Sequence, residues 1–416
     1  MRDAGVAVRA HVSLFVGKGG VGKSTLAAAT AVCDARAGRR VLVVSTDQAH
    51  SLGDVLGLTV PPTGNPDPVR VLDEVGGGFL DALALDTLAL LADRWREVAR
   101  PLGERFTESE LGNVAPEELS ALPGIQEVLG LYKVGELSES GNWDHIVVDC
   151  ASTADALRML TLPSTFGLYL ERAWPRHRRL STADTGSSAV VVALLERVNA
   201  GVERLGALLT DPESVSAHLV LTPERVVAAE AVRTLGALAL MGVRVAELIV
   251  NQVLIQDDSF EYRNLPEHPA FDWYSERIVE QQAILEELST RTGAVEMVLT
   301  PHLSGEPVGA KALGDLLAGA RRRGGAPPPP PLKPVVDRES GSGLEAVYRM
   351  RLELPQVDTG SLTLGRVDDD LIIGVGGMRR RVRLASVLRR CIVMDAQLRG
   401  AELTVRFRPN PEVWPA

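Results

Sequence analysis

Over its first three quarters the chain alternates short apolar runs with longer stripes of helical spacing. Its last quarter carries only short runs set close together. Val12 to Val16, Val41 to Val44, His145 to Asp149, His218 to Leu221, Val245 to Val250 and Val295 to Leu299 are compact apolar runs of buried-strand type. Leu26 to Ala37 reads as a helix ended by Gly38, and a second helix is expected to run on from Glu224 to Leu240. Strands alternating with helices predict an α/β fold around a mostly parallel sheet.

Two helical insertions interrupt that alternation, at about 77–140 and 159–212. In the first, Leu80, Leu83, Leu88, Leu91, Trp95 and Val98 predict an amphipathic helix over Phe79 to Val98, and another follows from Ile125 to Leu137. In the second, Ser181 to Ser188 reads as a linker. Beyond it Val191, Leu194, Val198, Val202, Leu205 and Leu209 trace one stripe at intervals of three and four. Such a stripe is a core face or a client-binding face; periodicity does not distinguish them.

Ala326 to Pro334 is a proline run, read as a semi-rigid linker within 323–342. It separates an α/β domain over 1–322 from a small all-β sandwich domain over 343–416. There Tyr348 to Leu354, Ser361 to Arg366, Leu371 to Val375, Arg380 to Leu384 and Leu403 to Phe407 are the expected strands.

Composition narrows the class. A length of 416 residues suits two or three domains, and 45% hydrophobic residues suits a globular protein. A net charge of -10 argues against nucleic acid as a partner. No apolar run is long enough to span a bilayer and the first eleven residues lack a signal-peptide layout, so no integral membrane segment and a cytoplasmic location are expected. Cys33, Cys150 and Cys391 are few and far apart, which fits reduced thiols.

The chemistry sits at the end of the first strand. Gly17, Lys18, Gly19, Gly20, Val21, Gly22, Lys23, Ser24 and Thr25 fit the phosphate-loop pattern GxxxxGK[ST] in strand–loop–helix context, the signature of a P-loop NTPase. The glycines let backbone N–H groups face phosphate oxygens, Lys23 reaches the β and γ phosphates, and the Ser24 hydroxyl is placed to ligate Mg²⁺ with ATP. Of only five lysines in the chain, two lie in this loop. Asp47, after the second strand, can orient water or support the metal; Asp149 closes another strand and is the expected metal-side carboxylate. Asn251 offers an amide that could read the adenine edge. His50 is read as structural.

With Lys18 directly after its first glycine, the loop resembles the deviant dimeric ATPases. Within them the chain resembles the arsenite-efflux and tail-anchored-protein-targeting ATPase family. The resemblance rests on Gly17 to Thr25, on STDQAHSLGD from Ser45 to Asp54, on PEELSALPG from Pro116 to Gly124, on Val148 to Leu160, on Thr222, Pro223 and Glu224, and on Val250, Asn251 and Gln252. The tail resembles the small-heat-shock-protein-like, α-crystallin-like domain of some members.

The family implies a nucleotide-sandwich homodimer in which Lys18 reaches the partner's ATP, Asp47 positions the attacking water, Asp149 supports Mg²⁺ and Asn251 contacts adenine. ATP-driven closure would shape a helical region for a hydrophobic protein client or a membrane-associated partner. Three departures stand out. Asp155 replaces the histidine usual in the second switch, Asp149 to Arg158. The paired zinc cysteines of targeting members are missing after Asn251, so no structural zinc is expected. The metalloid-binding cysteines and second ATPase half of the arsenite pumps are also missing.

Overall fold

The structure is a computed structural model. It describes residues 9–47, 51–63, 67–74, 76–90, 92, 125–157, 160–161, 186–254, 267–292, 295–324, 334–354, 357 and 359–414. His50, the PEELSALPG segment, the stretch over 162–185 and most of the proline run fall outside these residues.

In chain order the elements are β1 (His11–Gly17), α1 (Lys23–Arg36), β2 (Arg40–Ser45), α2 (Ser51–Leu56), β3 (Pro62–Thr63), β4 (Val69–Asp73) and β5 (Phe79–Leu85). There follow α3 (Ile125–Glu139), β6 (His145–Asp149), α4 (Gly186–Leu209), β7 (Val215–Leu221), α5 (Arg225–Met241) and β8 (Val245–Val253). Next come α6 (Pro269–Thr292), β9 (Glu296–Pro301), α7 (Gly309–Ala318) and β10 (Arg321–Arg323). The chain divides into two compact units, Met1–Val220 with Leu299–Arg321, and Leu221–Val298 with Arg322–Ala416.

In the first unit the strands run β7-β1-β6-β2-β5-β3. Every neighbouring pair is parallel, and β4 adds antiparallel to β5. The mostly parallel sheet expected from the sequence is therefore present. The helix expected over Phe79 to Val98 is present only in part: Phe79–Leu85 is a strand with Leu80, Ala82, Leu83, Ala84 and Leu85 all buried, whereas 87–90 and 92 are helical and the rest of the span lies outside the described residues. A strand covered on both faces shows no period-two alternation, so its leucines mimic helical spacing. The one polar residue inside that run is also buried and satisfied. Asp81 takes Arg70 Nε at 2.5 Å and the Trp143 indole N–H at 2.9 Å.

The second insertion is helical where it is described, and α4 already begins at Gly186, inside the expected linker. Its stripe is a core face at the carboxyl end, where Leu205, Leu208 and Leu209 are buried like Leu131, Val134 and Leu137 of α3. Close approach of the two helices is allowed by Gly201, where an added Cβ would stand 3.2 Å from the Tyr132 ring.

At the amino edge of the sheet a polar cluster ties the end of α1 to the central strands. His145 Nδ1 pairs with Asp34 Oδ2 at 2.5 Å and His145 Nε2 with Ser13 Oγ at 2.8 Å, while His218 Nε2 reaches the same hydroxyl at 3.2 Å. Burial pushes the Asp34 carboxyl up, but the hydrogen bond and charge of His145, with Arg39 and His218, outweigh it and hold Asp34 below its ordinary value.

The second unit contains the sandwich. One sheet has the order β11-β12-β17-β16, made of β11 (Val335–Ser340), β12 (Val347–Glu353), β16 (Cys391–Arg399) and β17 (Glu402–Pro409). The other runs β13 (Thr363–Val367), β14 (Asp370–Val375), β15 (Met378–Arg383), and a short helix α8 (Ser386–Arg389) precedes β16. β11 lies inside the expected linker of 323–342. It is a strand because it pairs antiparallel with β12, with Asp337 held by Arg349 Nε at 3.1 Å and Arg351 Nη2 at 3.0 Å.

The sandwich core of Met350, Leu352, Ile373, Leu403, Val405 and Phe407 also includes Leu240, from the last turn of α5. Arg380 of β15 donates Nη1 to the Leu240 carbonyl at 2.8 Å, satisfying an acceptor that a helix end leaves open. Burial pulls the Arg380 pKa down. Among the described residues no helix is long and apolar enough to cross a membrane.

Candidate nucleotide site

The loop between β1 and α1 has the backbone that its glycines permit. At Gly17 a Cβ would collide with the Val220 carbonyl oxygen, and Gly20 and Gly22 adopt φ of 81° and 92°, a region side chains disfavour. Gly22 occupies the N-cap of α1 without a side-chain cap, and no acidic residue stands in the first turn. The N–H groups opening this 14-residue helix therefore have no carboxylate competing for them, which suits an anion.

Lys18, Gly19 and Gly20 are exposed, Val21 is buried and Thr25 is half-buried. Lys23 is 92% covered, and its ammonium donates to the Lys18 carbonyl at 3.1 Å. A backbone acceptor thus holds the charge inside the loop.

Parallel register sets the acid beside it. Asp149, last residue of β6, lies opposite Phe15 of β1 and Ser45 of β2, so the carboxyl ends of three strands converge. Thr46 ties the β2 exit to this point by donating its N–H (3.1 Å) and Oγ1 (3.2 Å) to the Asp149 carbonyl. The half-buried Asp47 follows, its N–H donated to Ser45 Oγ at 3.2 Å. Asp149 is fully buried; its Oδ2 accepts from Ser45 Oγ at 3.5 Å, and its Oδ1 has no hydrogen-bond partner. Burial drives this carboxyl up to about 6, against the pull of the Ser24 hydroxyl and the Lys23 charge.

An orphaned carboxylate oxygen next to a hydroxyl is a pair of hard oxygen donors. It fits Mg²⁺, which is commonly bound through one or two carboxylates plus phosphate oxygens. Ser24 and Asp149 are the residues placed to serve it. Ser24 Oγ lies 2.8 Å from Ser51 Oγ on α2.

The second switch begins at this edge. Cys150 donates its N–H to the Phe15 carbonyl at 3.3 Å, and its thiol, buried and pushed up to about 12, is inert. Ser152 Oγ donates to Asp155 Oδ2 at 2.7 Å, while the Asp155 N–H returns to Ser152 Oγ at 3.4 Å. Ser152 thus caps the turn over 153–157 through the Asp155 N–H while Asp155 holds the Ser152 hydroxyl, so Asp155 has a local structural task.

Lys23, Ser24, Asp47 and Asp149 are brought to one sheet edge. Asn251 belongs to the second unit, buried inside β8 rather than at its end. The next residue, Gln252, has φ of 59°, and Gln281 of α6 brackets it, accepting from Leu254 N at 2.8 Å and donating to the Gln252 carbonyl at 3.3 Å. Ser45, Thr46 and Ser51 fall inside the STDQAHSLGD segment, which does not mark them individually as site residues.

A profile described as Anion-transporting ATPase matches residues 10–319, and one described as HSP20-like domain found in ArsA matches 345–407. Protein Rv2184c of Mycobacterium tuberculosis is 73% identical over the whole of both chains. A Streptomyces coelicolor protein is 34% identical over 97% of this chain and 98% of its own length. The Arsenical pump-driving ATPase of Acidiphilium multivorum is 30% identical over 73% of this chain, which covers 48% of that longer protein.

Proposed function

The chain belongs to the anion-transporting ATPase family, and from that premise we propose that it binds and hydrolyses Mg-ATP to drive closure of a homodimer. The observation that carries the reading is the phosphate loop with a buried lysine facing a carboxylate whose Oδ1 lacks a protein partner. Lys23 neutralises the β and γ phosphates from within the loop, and the uncapped start of α1 adds its dipole. When bound, Mg²⁺ supplies further neutralisation of phosphate charge, held by Ser24 and supported by Asp149 and Asp47. Asp47, at the exit of β2, orients the attacking water. Lys18, exposed on the loop, is assigned to the partner's nucleotide, and Asn251 to the adenine edge, both on the strength of the family resemblance. Closure would act on the helical insertions that handle a hydrophobic client, with the C-terminal domain as a docking or chaperone-like surface.

A test is the molar mass by light scattering without nucleotide, with ADP and with a slowly hydrolysed ATP analogue, for the native chain and Lys18→Ala. A nucleotide-dependent dimer weakened by the substitution is expected. A monomer under every condition would overturn the trans role of Lys18.

The printed name of the Acidiphilium relative favours a second reading, the soluble ATPase subunit of an arsenite or antimonite efflux system. Stimulation of ATP hydrolysis by either oxyanion would support it; no response over a wide concentration range would remove it.

A further inference from the structure

Ser24 has two competing neighbours, the Ser51 hydroxyl at 2.8 Å and the Asp149 carboxylate. A hydroxyl has one proton to give. If Ser24 gives it to Asp149, the carboxylate loses an acceptor site; if Ser24 gives it to Ser51, Asp149 Oδ1 and the Ser24 lone pairs stay available to a cation. The Ser24 and Ser51 hydroxyls lie 2.8 Å apart, a pair in which either oxygen can donate, the Ser24 hydroxyl also pulls on the Asp149 carboxylate, and Asp149 Oδ1 is left without a partner.

Ser51 is well placed to hold this arrangement. It opens α2, whose Leu52 and Leu56 are buried, and Gly53 is pressed so closely on the next turn that a Cβ would stand 2.8 Å from the Leu58 carbonyl oxygen. The Gly53 carbonyl accepts from Leu58 N at 3.0 Å. The hydroxyl is therefore carried on an anchored element, four residues beyond Asp47 in the chain.

We infer that Ser51 is a positioning residue for magnesium binding, which accepts the hydrogen bond of the Ser24 hydroxyl and so leaves the Ser24 lone pairs and Asp149 Oδ1 to face the cation. This rests on the reading of Ser24 and Asp149 as the magnesium side of the site. Its effect acts on metal affinity and not on nucleotide affinity in the absence of metal. Partners that orient metal ligands typically change metal affinity by about 10- to 100-fold.

The experiment is equilibrium binding of a slowly hydrolysed fluorescent ATP analogue to the full-length chain, titrated with Mg²⁺ and repeated in EDTA. The native protein, Ser51→Ala and Ser51→Thr are compared, with melting temperatures recorded for each. Ser51→Ala should raise the Mg²⁺ concentration for half-maximal tightening about 10-fold, leave binding in EDTA unchanged and melt with the native protein. Ser51→Thr, which keeps the hydroxyl, should restore the native titration. A Ser51→Ala titration within about twofold of native, well below the orienting-partner range, would overturn the inference while leaving the magnesium site intact. So would an equal loss of affinity in EDTA, which marks a general disturbance of the loop. A native chain whose nucleotide binding ignores Mg²⁺ would overturn both this inference and the reading beneath it.

Discussion

Two carboxylates in different units of this protein have opposite surroundings. Asp337, on the outer face of the sandwich, is pulled below its ordinary value by the hydrogen bond from Arg349, with Arg351 adding charge. Its neighbours extend the pairing, since Arg406 joins Glu339 at 2.7 Å and Asp395 at 3.3 Å. Asp149 is buried at the phosphate loop with one oxygen unpartnered and its pKa raised to about 6. On the sandwich face Asp337 is paired on both oxygens, whereas Asp149, despite Ser45, Ser24 and Lys23, keeps one oxygen without a hydrogen-bond partner. A buried carboxylate satisfied on one side only is costly to keep, which makes it a candidate for completion by a ligand.

The sharpest way to break this comparison is Asp149→Asn. Its folded pKa lies above the ordinary 3.8, so ionisation of the folded protein costs stability; the cost is absent below pH 3.8, grows to pH 6 and is constant above. In EDTA at pH 7.5 the variant should therefore be more stable than the native chain, by up to about 3 kcal/mol, and the two should converge near pH 4. Thermal melts across pH measure this. The same variant should lose most of the magnesium-dependent tightening of nucleotide, and in the native chain that tightening should weaken as pH falls through 6.

Asp34 sharpens the contrast from the middle ground, being largely covered yet paired. Asp34→Asn weakens the bond to His145 and should cost about 2 kcal/mol near neutrality. Because its folded pKa is depressed, that stability is present above the ordinary 3.8 and is lost as pH falls through the lower folded value. The deficit of the variant should shrink in acid, again by thermal melts.

The smallest effect is expected at the sandwich face. Asp337→Asn should shift the melting temperature by only about 1 °C, and the shift should fade in 1 M salt because the pairs are open to solvent. A shift as large as that of Asp34→Asn would show that the face is not self-contained.

The phosphate loop was legible because its chemistry needs glycines, a lysine and a hydroxyl at fixed spacing, and Asp149 was legible because its strand is buried and short. What stayed hidden had other causes. β5 is covered on both faces, so its alternation is erased. β16 was missed for the opposite reason. It is an edge strand, exposed over 393–397, with a register shift between Val393 and Asp395 that breaks the period. Ser51, Asp34 and His145 act through partners 27 to 132 residues away, which no local pattern reports.

The seat of Leu240 in the sandwich core bears on how this architecture can be cut and recombined. By sequence the tail is a cassette, matched by its own profile and set off by a run of prolines. Its hydrophobic interior nevertheless includes a side chain supplied about 100 residues upstream of the first sandwich strand, and Arg380 fastens the backbone at that same point. A protease nick among the prolines would leave the fragments gripping each other, and a graft of the tail onto a foreign protein would arrive with a hole. The module is portable only together with the helix that plugs it.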